Sequence, residues 1–236
     1  MNLFFAHFEN NQAILDEKET HHLQKVLRLG KNDKVLVTDG KGKMFEGHVL
    51  EITKKQSLIS LGKEREIQNN FPELSVAFAP TKSNERSEIL IEKIVELGVR
   101  NIFPITSFHS ERRKINVERW QKIADAATKQ SLKAHRCQLH DLQDFKNFLS
   151  LKKNLENKFI AHCNSAIPTS LLKNVLSPGE DSLILIGPEG DFSQDEIHTA
   201  IDLGYKSISF GNQRFRTETA GIYFASVYNF LNTFRA

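Results

Sequence analysis

Over the first 66 positions, apolar residues recur mostly at strand spacing. Positions 3–8 make a short apolar run, and 34–38, 44–52 and 57–61 alternate or run apolar over strand-sized windows. Asp39-Gly40-Lys41-Gly42 and Lys54-Lys55-Gln56 supply turns between them. One helix interrupts the strands. Asp16 and Glu19 have the spacing of a capping box, with Ala13, Ile14 and Leu15 ahead of them as staple residues. His22, Leu23, Val26 and Leu27 then share one helical stripe, which Gly30 is expected to stop. The pattern predicts a small β-barrel carrying one helix.

The stretch 63–72 (KEREIQNNFP) is polar and ends in proline. It marks an expected boundary that divides the chain into 1–70 and 71–236. Beyond it the texture changes. Strand-length apolar runs fall at 74–79, 101–105, 159–162, 182–186 and 207–210. Helical periodicity or capping signals mark 85–97, 117–133, 142–149, 168–176, 193–203 and 217–234. Strands alternating with helices predict an α/β domain with a mainly parallel sheet. Neither internal repeats nor low-complexity tracts occur.

Composition narrows the class. The 236 residues are 39% hydrophobic and 26% charged, enough to build a core. No apolar run approaches the roughly 18 residues of a membrane span. The start, MNLFFAHFEN, lacks the basic and long apolar segments of a secretory signal. Two cysteines, Cys137 and Cys163, are too few for a disulfide framework, so reduced thiols in a cytoplasmic protein are expected. The net charge of +3 says little, but its distribution says more. From His109 to Arg136 eight Lys/Arg face three acids. Clustered cations of this kind suit a phosphate-binding surface, and a solvated helix face accounts for them equally well.

The familiar nucleotide and hydrolase motifs are absent. The chain has no phosphate loop of Walker type, no G-x-G-x-x-G after a strand and no G-x-S-x-G elbow. His135/Cys137 and His162/Cys163 lack zinc spacing, and no metal site is expected. Two other segments stand out. In the first, the apolar run 183–186 leads straight into Gly187-Pro188-Glu189-Gly190, and Ser193 caps the next helix. In the second, Phe210-Gly-Asn-Gln-Arg-Phe-Arg-Thr-Glu-Thr-Ala220 leaves a strand, carries two arginines and enters a helix with Thr217 as a natural cap. Ligands of parallel α/β sheets collect at the carboxyl ends of strands. Helix starts favour carboxylates and phosphates. An ordinary βα turn and surface salt bridges from Arg214 and Arg216 are the plainer readings of each segment taken alone.

Taken together the segments resemble the last two signature loops of SPOUT-class methyltransferases, specifically the 16S ribosomal RNA (uracil-N3)-methyltransferase family. The two loops stand here as IGPEGDF (186–192) and FGNQRFRTETA (210–220). The likeness covers nearly the whole chain. His21-His22-Leu23 with Val26-Leu27-Arg28 matches an early element, and Lys93 with Glu96-Leu97-Gly98-Val99 a helix end. Ser110-Glu111-Arg112, Arg119-Trp120 and Lys129-Gln130-Ser131 match a middle signature. There are departures. Asp191 stands where a glycine is usual, Phe210 and Phe215 replace aliphatic residues, Lys133 stands near a usual arginine, and an arginine often found near the start is missing.

The resemblance implies an amino-terminal PUA-like β-barrel that binds RNA, a SPOUT-type α/β domain with a carboxy-terminal trefoil knot, and a homodimer. It implies S-adenosylmethionine held among three loops. Their residues here are His162; Ile186, Gly187, Pro188, Glu189 and Gly190; and Phe210, Gly211, Phe215, Arg216, Thr217 and Ala220. The implied substrate is a uridine of 16S ribosomal RNA in the small subunit. Its neutral N3 must lose a proton before it can accept a methyl group, which leaves negative charge over N3, O2 and O4. Arg216 is the candidate stabiliser of that anion, and Glu189 or Glu218 the candidate proton acceptor or loop anchor. RNA contacts are expected from Lys25, Arg28, Arg112, Arg113, Lys114 and Arg214. A ribose or transfer-RNA methyltransferase of the same class, a catalytically silent RNA-binding assembly factor and a Rossmann-type enzyme are the rival readings.

Overall fold

The computed structural model describes residues 1–66, 71–151 and 156–233. The centre of the expected linker, 67–70, and the last position of the expected final helix lie outside them. The chain forms two compact units. The first comprises Met1–Asn70 together with Thr128–Arg136, and the second Phe71–Ala127 with Cys137–Ala236.

The first unit contains β1 (Leu3–Phe5), β2 (His7–Glu9), β3 (Gln12–Leu15), β4 (Lys34–Thr38), β5 (Met44–Ile52) and β6 (Ser57–Glu64) in one sheet of order β1-β4-β5-β6-β3-β2. The two edge strands are joined by Ala6 alone, so the sheet must curl until its edges approach. The single run expected at 3–8 is therefore two strands. β1 pairs parallel with β4, while β2 turns back on β3 through Asn10 and Asn11, both at positive φ. The residues expected as a helix staple, 13–15, are instead most of β3, which pairs with β6 on its other side. Phe4, Ala13, Leu15, Val35, Val37, Val49 and Ile59 fill the inside.

The expected helix is shorter than its stripe. α1 (Glu17–His21) starts at Asp16, whose carboxylate accepts the Glu19 N–H at 2.7 Å. Glu19 does not reach back to complete the box; its carboxylate meets Lys129 at 2.8 Å. The helix continues as a wider π turn over His22–Val26. Arg28 then ends it at φ +56°, two residues before Gly30.

The second unit is a parallel α/β domain. Its strands are β7 (Leu74–Phe78), β8 (Asn101–Thr106), β9 (Gln138–Leu139), β10 (Gln143–Asp144), β11 (Asn157–Ala161), β12 (Ser170–Leu171), β13 (Ser182–Ile186) and β14 (Lys206–Ser209). Its helices are α2 (Asn84–Glu96), α3 (Val117–Gln130), α4 (Phe145–Leu151), α5 (Leu172–Val175), α6 (Gln194–Asp202) and α7 (Thr217–Thr233). The main sheet runs β10-β8-β7-β13-β11-β14-β12, with β9 paired to β8. Its central strands are buried throughout, and period-2 alternation splits their side chains between two cores. Val76, Phe78, Phe159, Ile184 and Ile186 pack with α2, α3 and α7 on one face. Ala77, Ile160, Leu183 and Leu185 pack with α4 and α6 on the other. Full burial of each such aliphatic side chain contributes about 1.5–3 kcal/mol. β13 enters between β7 and β11, both laid down earlier in the chain.

Two expected helices start later than their pattern suggests, and the second is only one turn long. The 142–149 segment begins as β10 before α4, and 168–176 is two residues of strand followed by the single turn α5. Pro168 and Ser170 suit extended backbone, and β12 gains an edge partner in β14.

Candidate active site

Three loops leave the carboxyl ends of β11, β13 and β14 and line a cavity of about 840 Å³. These strands are neighbours in the sheet, so their loops must converge. Ile186, Ile208, Phe210, Phe215 and Ala220 give it apolar walls, and Glu189, Asp191, Arg214 and Arg216 bring charge to its lining. Phe210 and Phe215 stack at 5.9 Å, and both meet Tyr223 of α7 edge-on or tilted.

Short hydrogen bonds lock the loops to one another. The Thr217 hydroxyl donates to the Gly187 carbonyl at 2.8 Å, joining the loop after β14 to the loop after β13. Arg216, not Thr217, occupies the cap position of α7, because its carbonyl accepts the first helical bond from the Ala220 N–H at 2.8 Å. Asp191 sits at φ +65° and accepts from the Cys163 N–H at 2.7 Å and from the Phe192 N–H at 2.8 Å. The loop after β11 is fixed from inside. His162 is buried, and its Nδ1 accepts the Asn164 N–H at 3.2 Å. Its Nε2 must then carry the proton and donate to the Ser207 hydroxyl at 2.7 Å, which donates onward to the Pro168 carbonyl at 2.9 Å. Burial lowers the His162 pKa, partly opposed by the Asp191 carboxylate. Burial first, then Asp191, raises that of the Cys163 thiol, against the pull of Arg214.

Of the residues nominated for the cofactor, all but Gly190 line this cavity. A Cβ at Gly190 would lie 3.0 Å from the His109 Cβ, so that glycine serves loop packing. Gly187 lines the cavity, yet its missing Cβ makes room for Phe192. The carboxylates separate. Glu189 lines the cavity and accepts the Lys82 N–H at 3.0 Å. Glu218 is not among the lining residues and faces Arg86 at 3.9 Å.

The cations of 109–136 divide between the two units. Lys129, Lys133 and Arg136 belong to the first unit, and the rest to the second. Arg112 donates to the carbonyls of Thr81 and Lys82 at 2.9 and 2.6 Å, clamping the loop after β7. Arg119 pairs with Glu88. Arg113 and Lys114 are exposed and make no ion pair among the described residues. Arg214 lies on the cavity, and Lys25 and Arg28 are exposed in the first unit. Ser207, Asn164 and Cys163 were not nominated from sequence; their only signal was proximity to His162 in the chain or across β11 and β14. Among the described residues no group of three or more His, Cys, Asp or Glu could hold a metal, and no helix is long and apolar enough to cross a membrane.

A curled β-sheet unit ahead of a parallel sheet, with the cavity at three adjoining strand ends, is the SPOUT-type architecture. The RNA methyltransferase domain family matches residues 68–229 and the RNA methyltransferase PUA domain matches 15–61, so the chain belongs to this family of RNA methyltransferases. It is 31% identical over 225 residues to a Buchnera aphidicola protein named ribosomal RNA small subunit methyltransferase E, covering 90% of this chain and 88% of that one. A crystal structure of a probable rRNA-methyltransferase from Porphyromonas gingivalis matches with a TM-score of 0.87, at 34% identity and 99% coverage of each chain. The fold is also that of a Neisseria gonorrhoeae ribosomal RNA small subunit methyltransferase E solved bound to S-adenosyl methionine, with a TM-score of 0.85, 24% identity and 98% coverage of each chain.

Proposed function

We propose that this chain methylates N3 of one uridine in 16S ribosomal RNA of the small subunit, using S-adenosylmethionine. It would act as a homodimer in the cytoplasm. The observation that carries the reading is that the two loops that resemble the family signatures line one cavity, with the loop after β11, at the ends of β11, β13 and β14. The residues present suit the donor. A cavity of about 840 Å³ lies within the usual range for small-ligand sites, and its apolar walls beside loop backbone suit an adenosine. His162, Ile186, Gly187, Pro188, Phe210, Gly211, Phe215, Thr217 and Ala220 would hold it. Bound there, S-adenosylmethionine supplies an electrophilic methyl on a positively charged sulfur.

The protein's own task is to make uracil N3 nucleophilic and to keep it in place. Arg216 is exposed on the cavity lining and makes no ion pair among the described residues, so its charge is available to the developing imidate. Glu189 is the better placed proton acceptor, since it lines the cavity and Glu218 does not. Glu218 anchors α7 through Arg86. Arg113, Lys114, Arg214, Lys25 and Arg28 take RNA phosphates, while Arg112 supports them by clamping its loop. A uridine inside a duplex has N3 tied up in pairing, so the target must be unpaired or flipped.

The test is incubation of the purified chain with methyl-labelled S-adenosylmethionine and small ribosomal subunits from cells lacking the gene. Label in 16S RNA that digests to 3-methyluridine is the expected result. Label in a ribose-methylated nucleoside, or none, overturns the proposal.

A further inference from the structure

Outside the cavity one aromatic ring stands out. Phe108 is 71% exposed, more than any other large apolar side chain among the described residues. Its backbone is nevertheless fixed. Ser107 and Ser110 close a turn around it, with the Ser107 N–H on the Ser110 hydroxyl at 2.9 Å and the Ser110 N–H on the Ser107 carbonyl at 3.1 Å. The Phe108 N–H donates to Glu196 Oε1 at 2.8 Å, a carboxylate that also belongs to the capping box of α6. The neighbouring His109 packs against Gly190 and places Nδ1 3.1 Å from the Asp191 carbonyl. The backbone that carries the ring is thus held beside the loop that lines the cavity, and the ring meets His109 edge-on at 4.9 Å. Five and six residues further on, Arg113 and Lys114 are exposed without an ion pair among the described residues.

We propose that Phe108 is a stacking platform for an unpaired base of the RNA substrate next to the target uridine, with Arg113 and Lys114 on the flanking phosphates. The inference rests on the RNA-methylating reading of the cavity. An exposed aromatic face on a fixed backbone, with exposed cations a few residues along the same segment, is what single-stranded RNA recognition uses, because every base offers a π-face and every linkage a charge. A second protein chain would call for a broader apolar patch. The exposed neighbours in the segment, His109, Glu111, Arg113 and Lys114, are polar or charged.

The test compares Phe108→Ala, Phe108→Leu and Phe108→Trp on small ribosomal subunits from cells lacking the gene. Stacking predicts a KM for RNA raised about ten-fold or more in the Ala and Leu variants, and near wild type in the Trp variant. Affinity for S-adenosylmethionine by calorimetry stays unchanged. In the Trp variant a single-stranded 16S fragment should quench the introduced indole, since the native Trp120 is buried at 1% exposure. A wild-type KM in the Ala variant, a Leu variant as good as wild type, or an Ala variant whose only change is a lower sedimentation mass overturns the proposal. If the wild-type chain methylates no small-subunit RNA, the reading of the cavity has failed, and the indole quench alone then decides whether Phe108 stacks on RNA.

Discussion

The Asp191 carboxylate accepts the backbone N–H of Cys163 at 2.7 Å, tying the loop after β13 to the loop after β11. The sequence resemblance expects glycine at 191, and the backbone there is left-handed, at φ +65°. Aspartate tolerates that region better than most residues and adds two hydrogen bonds that glycine cannot make. The extra negative charge is therefore turned toward backbone N–H groups of the loops.

Replacing Asp191 separates the two effects. Asp191→Ala removes both hydrogen bonds and keeps a side chain at positive φ, so a loss of about 1–3 kcal/mol is expected. Asp191→Gly loses the bonds and relieves the backbone, so it should unfold at a temperature between the wild type and the Ala variant. Thermal unfolding checks the order, and calorimetry should show weaker S-adenosylmethionine binding in both.

Thr217 offers a second test of the loop ties. It is buried, and its hydroxyl bonds the Gly187 carbonyl at 2.8 Å. Thr217→Val keeps the shape and strands that carbonyl, at an expected cost of about 1–3 kcal/mol and with a looser cavity. Thr217→Ser should retain most of both. Denaturant midpoints and donor affinity measured on the same preparations check this.

Arg216 is predicted to act on the rate. Arg216→Ala should lower single-turnover methylation by roughly 10²–10³ while leaving S-adenosylmethionine binding within a few-fold of wild type. Arg216→Lys restores charge without the planar fork and should fall between them. A rate unchanged in the Ala variant removes Arg216 from the chemistry.

His162 gives the loop after β11 a pH dependence. Its folded pKa is lowered from the ordinary 6.5 by burial, so the unfolded chain binds its proton first as pH falls. The His162 contribution is whole above about 6.5 and declines as pH drops below that toward the folded value. His162→Gln should flatten the stability profile over that window. Because the His22 pKa is also lowered, mainly by burial, a His22→Gln variant is the control for the share that remains.

The chain wrote some of this plainly and hid the rest. The buried strands 74–78 and 182–186 read directly from their apolar runs, and Ser193 caps α6 with the reciprocal Glu196 bond. The loops at 186–192 and 210–220 were legible through their joint resemblance to the family signatures, since each alone reads as an ordinary βα turn. Local pattern failed where a partner strand decides the outcome. Ser170 and Leu171 are a strand only because β14 lies beside them, and Ala13–Leu15 only because β2 and β6 do. Side-chain roles were hidden for the same reason. No local pattern shows that the Arg112 guanidinium donates to two carbonyls of a loop thirty residues away. Gly190 looked like a ligand-contacting glycine until His109 occupied the space. Charge counting along 109–136 could not show that its cations divide between two compact units.

The central claim is that the cavity at the ends of β11, β13 and β14 delivers a methyl group to uracil N3 of 16S ribosomal RNA. Mass spectrometry of nucleosides from 16S RNA of cells with and without the gene tests it most directly. The account predicts one 3-methyluridine per molecule that vanishes on deletion and returns with the wild-type gene but not with Arg216→Ala. An unchanged 3-methyluridine content on deletion, or loss of a ribose-methylated nucleoside in its place, would contradict it.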